Sequence, residues 1–468
     1  MSVSVDEPVL DAANPSSWAA LPFETLFSLS KDQVERAQRD ALVQRFETLR
    51  PRVAALRSLA SRQGVERIDA IGDVVPVLFD HRVYKSYPAS LIEQRKFDRL
   101  TAWLQRLTAH DLSSLSLDGV NSVSSWLTRL EDSTPLSVGH TTGTSGKLSF
   151  IPRSETELDA FTSSRLEFWR AQTGLDFRTT TFARFGSGHR RAHYWLGSKL
   201  TRLHAVNEFG GAQAILPFDY ELPVDVLSMA ARLAAADDQG EIDKLDIDPG
   251  ILEAQAELIQ RNRNRDTDLE RWLHTLAEDY RGQRVYIGGT PGDLLGLALQ
   301  GRELGLSCSF AAGSILQYGG GMKTYKNPPP DWEQILADYF GTERSITSYG
   351  MTECLSHAPR CQAGFYHFFP YVLPIVVDED YLPLPREGVQ TGRMTLFDFL
   401  AETYWGGFIS GDQVTIYWDY DCPCGWRSPR IDGNIARFSQ LEGVQDDKLS
   451  CAGVEKAYSE FMDYIASI

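Results

Sequence analysis

Thr141-Thr142-Gly143-Thr144-Ser145-Gly146-Lys147 gathers hydroxyls, two glycines and a terminal cation into one short stretch. Glycine lets backbone N–H groups approach an anion closely, and small hydroxyl side chains add donors at little steric cost. The stretch therefore reads either as a loop that wraps the phosphates of a nucleotide or as an ordinary flexible turn. It is not a P-loop, which needs four residues between its glycines and Ser or Thr after the lysine. Here Gly143 and Gly146 enclose only Thr144 and Ser145, and Leu148 follows Lys147. The flanks, Pro135–Val138 and Leu148–Pro152, read as strands, so the loop joins two strands and does not open a helix. His140, just before it, can donate to a phosphate oxygen, line a neighbouring ligand pocket, or simply be a packed histidine.

A chain of 468 residues that is 43% hydrophobic can bury a large core, in about two to three folding units. Its net charge of −17 argues against a broad nucleic-acid or anionic-membrane surface, which is normally met with excess Lys and Arg. An anionic ligand then needs a local pocket. No apolar run approaches a bilayer's thickness, and the N-terminus MSVSVDEPVLD is acidic, unlike a signal sequence. A cytoplasmic location is expected on that basis, and a homo-oligomer is compatible with it. Six cysteines in so long a chain make no disulfide framework.

Residues 1–130 read as a mainly helical region, with helical spacing over Lys31–Ala60 and Ser90–Thr108 and a buried connection at Ile71–Phe79. Residues 131–440 read as an α/β core and 441–468 as a short tail with a helix-like run from Val454. Within the core, Ser154-x-x-Glu157 is a capping box opening a helix, and a second helical block runs over about 223–281. Strand-like runs then alternate with helices: VYIGG, a helix over Leu294–Leu304, SCSFAAG, a helix over Trp332–Phe340, and SITSYG. The end turns to strands, with Val414, Ile416 and Trp418 alternating against Thr415, Tyr417 and Asp419.

Three elements follow the loop in order: Gly319-Gly320-Gly321-Met322-Lys323, then Tyr349-Gly350-Met351-Thr352-Glu353, then Ser410-Gly411-Asp412. In that order they resemble the adenylate-forming superfamily, whose members make acyl-AMP from a carboxylic acid and ATP. With the run TGRMTLFDFLAETY (Thr391–Tyr404) and CPCG at Cys422–Gly425, the finer resemblance is to the acyl-protein synthetases of bacterial fatty-acid reductase, with phenylacetate–CoA ligases as neighbours. It spans roughly residues 135–451 and implies the α/β large domain of an adenylate-forming enzyme, preceded by N-terminal helices, with the mobile C-terminal domain truncated or missing.

The same resemblance assigns roles. The Thr141–Lys147 loop covers the β- and γ-phosphates, the Thr352 hydroxyl contacts the α-phosphate, and Glu353 holds Mg²⁺. Asp412 accepts hydrogen bonds from the ribose hydroxyls, and Gly319, Gly320 and Gly321 lie against the adenine and acyl pocket. The family's usual Gly-Arg after the Asp strand is Gly433-Asn434 here, leaving Arg430 and Arg437 as the nearest substitutes. Cys451 corresponds to the acceptor cysteine near the C-terminus, with Lys448 or Lys456 to favour its thiolate.

Cys361-x5-His367 and Cys422-x-Cys424 offer four soft ligands, read either as a structural zinc site or as buried thiols, with Cys354 and His357 as alternates. The leading expectation is an enzyme that adenylates a carboxylic acid with ATP and Mg²⁺ and passes the acyl group to a thiol of a protein acceptor or downstream partner. An acyl- or aryl-CoA ligase using CoA, and a degenerate nucleotide-binding scaffold, are the rivals.

Overall fold

The computed structural model describes residues 10–80, 82–141, 147–187, 189–191, 214–238, 240, 247, 249–320, 322, 325, 328–342 and 344–438. The strands that carry the architecture are β1 (Phe79–Asp80), β2 (Leu136–His140), β3 (Phe150–Ser154), β4 (Ala183–Gly186), β5 (His189–Arg191), β6 (Ala214–Ile215), β7 (Phe218–Leu222), β8 (Val285–Gly289), β9 (Ile315–Gly319), β10 (Ser345–Tyr349), β11 (Ala358–Pro359), β12 (Tyr366–His367), β13 (Val372–Val377), β14 (Val389–Asp398), β15 (Gly407–Tyr417), β16 (Arg430–Ile431) and β17 (Ala436–Arg437).

One sheet runs β11-β10-β9-β8-β4-β6, parallel from β10 to β6, with β11 antiparallel at the edge. Its central strands β8 and β9 carry apolar residues on both faces because both faces are covered. Val285, Ile287, Leu316 and Tyr318 pack in one cluster with the helices Pro291–Glu303 and Trp332–Phe340, whereas Tyr286, Ile315 and Ile346 belong to a second cluster with Phe161 and Trp169 of the helix Glu155–Thr173. The connections between these parallel strands bring the C-terminal ends Gly289, Gly319 and Tyr349 to one edge. That edge is where α/β sheets bind ligands.

A mostly antiparallel sheet runs β12-β16-β15-β14-β13, with β1 and β17 also paired to β15. Its buried residues, among them Leu373, Phe397, Phe408 and Ile416, share a cluster with Leu42, Phe46 and Leu49 of the helix Lys31–Leu49. The β2–β3 hairpin lies apart from both sheets, and Leu136, Val138 and Phe150 pack on Leu100, Trp126 and Leu130 of the helices Phe97–Gln105 and Val123–Ser133.

Several expectations are adjusted. The predicted helix over Lys31–Ala60 is two helices, Lys31–Leu49 and Ala54–Gln63, because Pro51 lies between them. Ser90–Thr108 is also split, into Ser90–Glu93 and Phe97–Gln105, and Arg95 between them has φ 53°. Ile71–Val77 is a 3₁₀ turn leading into β1. SCSFAAG is not a strand. Its backbone bonds run to loops and helix ends, Cys308 N to Tyr339 O at 3.0 Å and Ala311 N to Gln283 O at 2.9 Å, and the strand begins beyond Gly313, whose φ is 82°. The capping box at Ser154 forms as expected, the Ser154 hydroxyl accepting from Glu157 N and the Glu157 carboxylate from Ser154 N. The helix-like run from Val454 lies outside the described residues.

Candidate active site

The β2–β3 hairpin brings Thr141 and Lys147 to the two ends of the glycine-rich loop; Thr142, Gly143, Thr144, Ser145 and Gly146 lie outside the described residues. Thr141 closes the loop's base: its N–H donates to Ser149 O at 3.1 Å and its hydroxyl accepts from Ser149 N at 3.0 Å. His140 is fully buried, with Nδ1 2.9 Å from Thr141 O. Lys147 donates to Tyr87 O and sits 4.8 Å from the centroid of the Tyr87 ring. Burial, and then Lys85, lowers its pKa.

At the sheet edge β9 delivers Gly319 and Gly320, the latter at φ 84°, a conformation that favours glycine. Gly321, Lys323, Cys451, Lys448 and Lys456 lie outside the described residues. The next strand, β10, ends at Tyr349, and the turn Gly350–Glu353 follows. Gly350 has to lack a side chain, because a Cβ there would fall 2.3 Å from the His357 ring. Met351 and Thr352 are half-buried and Glu353 is buried.

Tyr349 joins this turn to the second sheet: its hydroxyl donates to Asp412 Oδ2 at 2.9 Å. Burial, and then the Asp412 carboxylate, push its pKa well above the ordinary range, so the phenol remains a donor. Asp412 sits on β15 opposite Arg437 of β17, whose Nε lies 3.2 Å from Oδ1. That ion pair is not aligned as a hydrogen bond, so buried Oδ1 keeps an unused acceptor site. Arg430 lies elsewhere. It pairs across from Tyr417, donates to Asp419 Oδ1 at 2.7 Å, and stacks over Phe365 and Tyr417. Of the two candidate substitutes for the missing Gly-Arg, Arg437 is the one beside Asp412.

Sequence reasoning missed the buried polar residues behind the turn. Asp398 accepts from Leu355 N, Ser356 N, Ser356 Oγ and Leu400 N, and burial raises its pKa. Arg153 donates through Nη2 to Thr352 O and through Nε to Tyr404 Oη at 3.4 Å. The available signal was a charge beside or inside an apolar run: Arg153 after Phe150-Ile151-Pro152, and Asp398 between Leu396-Phe397 and Phe399-Leu400.

His357 is enclosed against Phe161, ring centroids 5.1 Å apart, and burial, with Arg165 and Arg153 nearby, pushes its pKa down to about 4. Above pH ~6.5 the ring is neutral folded and unfolded and contributes no pH dependence. As pH falls towards 4, the unfolded chain binds a proton that the folded chain refuses, so stability declines, by about 3 kcal/mol in all. Glu157 and Asp398, with pKa raised by burial, act in the opposite sense on acidification. The readout is therefore the difference between wild type and His357→Asn in denaturant titrations from pH 7 to 4. The variant should show a shallower loss, and identical slopes would contradict the assignment.

Cys361, His367, Cys422 and Cys424 converge, their ligand atoms all within 4.8 Å of one another. Cys361 Sγ and Cys422 Sγ are 3.9 Å apart, and Cys424 Sγ and His367 Nε2 3.5 Å. A tetrahedral zinc with bonds of ~2.3 Å to sulfur and ~2.0 Å to nitrogen separates its ligand atoms by about 3.5–3.8 Å. The cage fits. His367 Nδ1 lies 3.0 Å from Ser428 Oγ, which donates to Pro429 O at 3.1 Å, the outer hydrogen bond that orients a metal-binding imidazole. Burial pushes the Cys424 thiol up to about 12 and His367 down to about 3, and a cation would offset the cost of ionising the thiols. Cys354 and His357 are not members of this cluster.

No family model matches the chain, and no curated protein matches it. Among solved structures, an open conformation of 2-hydroxyisobutyryl-CoA ligase in complex with 2-HIB-AMP and CoA is similar over 95% of this chain and 83% of that one, at 14% identity and a TM-score of 0.53. A long-chain-fatty-acid-CoA ligase from Archaeoglobus fulgidus matches 63% of this chain and 51% of its own, at 13% identity and a TM-score of 0.36. The amide bond synthetase McbA from Marinactinospora thermotolerans matches 62% and 48%, at 13% identity and 0.33. This chain thus spans about half the length of the latter two. The first likeness shows the fold alone, an α/β architecture shared with that ligase. Among the described residues no helix is long and apolar enough to cross a membrane.

Proposed function

We propose that the chain activates a carboxylic acid with ATP, forming acyl-AMP and pyrophosphate, and then transfers the acyl group to a thiol. The observation that carries this reading is the Tyr349–Asp412 hydrogen bond, which joins two separately recognisable nucleotide-binding stretches at the ligand-binding edge of a parallel sheet. The acid's carboxylate attacks the α-phosphorus, the bond to the bridging oxygen breaks, and pyrophosphate leaves with the electron pair. The thiol then attacks the acyl carbon, loses its proton, and expels AMP.

Asp412 Oδ1 accepts a ribose hydroxyl, with Arg437 holding the carboxylate in place. The Thr352 hydroxyl donates to an α-phosphate oxygen, and the Thr141–Lys147 loop covers the outgoing phosphates. Gly319 and Gly320 leave the adenine room, since a Cβ on Gly319 would meet nothing closer than 3.7 Å. The buried Glu353 carboxylate suits a hard cation, and Mg²⁺, when bound, offsets charge on two anions that must meet. Zinc in the Cys361, His367, Cys422 and Cys424 cage would be structural, tying the β11–β12 segment after the Thr352–Glu353 turn to the β15–β16 loop.

For the acceptor we favour Cys451. A second reading, CoA, is supported by the CoA and acyl-adenylate named with the 2-hydroxyisobutyryl-CoA ligase. Incubation with ATP and labelled acid, followed by denaturation, separates the two. Hydroxylamine-sensitive label on the protein, lost in Cys451→Ala while pyrophosphate exchange persists, is the expected result. An unlabelled wild type whose acyl-AMP is discharged by CoA would hand the assignment to the CoA ligase.

A further inference from the structure

We propose that Arg153 is a positioning residue for adenylation, locking the hairpin that carries the phosphate loop to the backbone of Thr352 and thereby fixing Glu353. This rests on the adenylation reading above. Arg153 is fully buried, and its hydrogen bonds run to the Thr352 carbonyl and the Tyr404 hydroxyl, not to a carboxylate. A buried guanidinium without a salt bridge is costly unless its donors are used, and such cases need a reason.

Its surroundings supply one. The side chain leaves β3, where Arg153 faces Ser137, and crosses Gly139 of β2, at which a Cβ would sit 3.4 Å from Nη1. Beyond the hairpin, Nη2 donates to Thr352 O and Nε to Tyr404 Oη. Thr352 C=O and Glu353 N–H belong to one rigid peptide plane. Holding that oxygen therefore sets where the Glu353 Cα begins.

The anchor is itself braced. Tyr404 follows Thr403, whose N–H, with that of Glu402, donates to Glu157 Oε1 at 2.7 Å, and Glu157 accepts in turn from Ser154 N, the residue after Arg153. The chain from 153 to 157 and the corner 402–404 thus close a loop of hydrogen bonds. From the same corner Asp398 holds Leu355 and Ser356, so both sides of the Thr352–Glu353 turn are pinned from one place. Burial opposes the guanidinium's charge, and Tyr404 and Asp398 offset that cost. Nη1 has no hydrogen bond, so the hairpin side of the lock rests on packing over Gly139.

The test is acid-dependent pyrophosphate exchange as a function of Mg²⁺ in Arg153→Met, Arg153→Lys and Tyr404→Phe, with Glu157→Gln as a comparison that disturbs the brace without touching Thr352. Removing a group that orients a metal ligand typically costs 10- to 100-fold in activity or metal affinity. Arg153→Met is expected to lose roughly that much and to need several-fold more Mg²⁺ for half-maximal rate, with KM for the acid within about twofold. Arg153→Lys, which keeps one donor for Thr352 O, should recover part of the Mg²⁺ response, and Glu157→Gln, which loosens the brace but leaves the Arg153–Thr352 bond, should lower the melting temperature and shift the Mg²⁺ midpoint less than Arg153→Met. Should Arg153→Met fail to fold, Arg153→Lys and Tyr404→Phe carry the same readout. A wild-type Mg²⁺ midpoint in the folded variants would overturn the proposal alone. Absence of exchange in wild type with every acid would remove the adenylation reading and this role together.

Discussion

Glu353→Gln should cut acid-dependent pyrophosphate exchange by about two to three orders of magnitude, which corresponds to roughly 3–4 kcal/mol of transition-state stabilisation. Two anions meet in the adenylation step, and the glutamine is nearly isosteric but cannot hold a divalent cation with its charge. The effect should appear mainly in the rate and in the Mg²⁺ requirement. Glu353 is buried, so the folded state of the variant is checked by its melting curve. A folded variant that exchanges at the wild-type rate would show that the metal is held elsewhere.

Cys422→Ala combined with Cys424→Ala should remove one zinc per chain and lower the melting temperature by roughly 5–10 °C, a loss of several kcal/mol. The cysteines sit between β15 and β16, and their partners Cys361 and His367 come from the segment after β11. The metal would therefore tie the β11–β12 connection and strand β12 to the β15–β16 loop of the same antiparallel sheet, near Arg430, which itself stacks on Phe365. Metal analysis of protein purified without chelator, paired with melting curves, decides this. No zinc, or unchanged melting in the double variant, would leave three buried side chains and the half-buried Cys424 that merely pack.

What the sequence revealed and what it withheld separate along physical lines. Glycine-rich turns and strand ends were legible because backbone conformation and close approach constrain residue type locally. Hence the end of β10 at Tyr349 fell where expected. Ligand type and pair spacing marked Cys361, His367, Cys422 and Cys424 but left Cys354 and His357 as alternates, which only the fold removes. Arg153, Asp398 and Glu157 were not singled out for the site, because their meaning arises only when residues 153–157, 352–356 and 398–404 come together, and no local spacing encodes that. SCSFAAG misled for a related reason: an apolar, small-residue run suits a strand, yet its backbone is consumed by Gln283 and Tyr339. The choice between Arg430 and Arg437 also needed register, since only β17 lies across from Asp412.

The most direct measurement is exchange of labelled pyrophosphate into ATP by the wild-type chain, with Mg²⁺, across a panel of aliphatic and aromatic acids. At least one acid should support exchange, with no CoA present, and exchange should vanish when either acid or Mg²⁺ is omitted. A folded, ATP-binding chain that exchanges with no acid in the panel would contradict the account and leave a nucleotide-binding scaffold in its place.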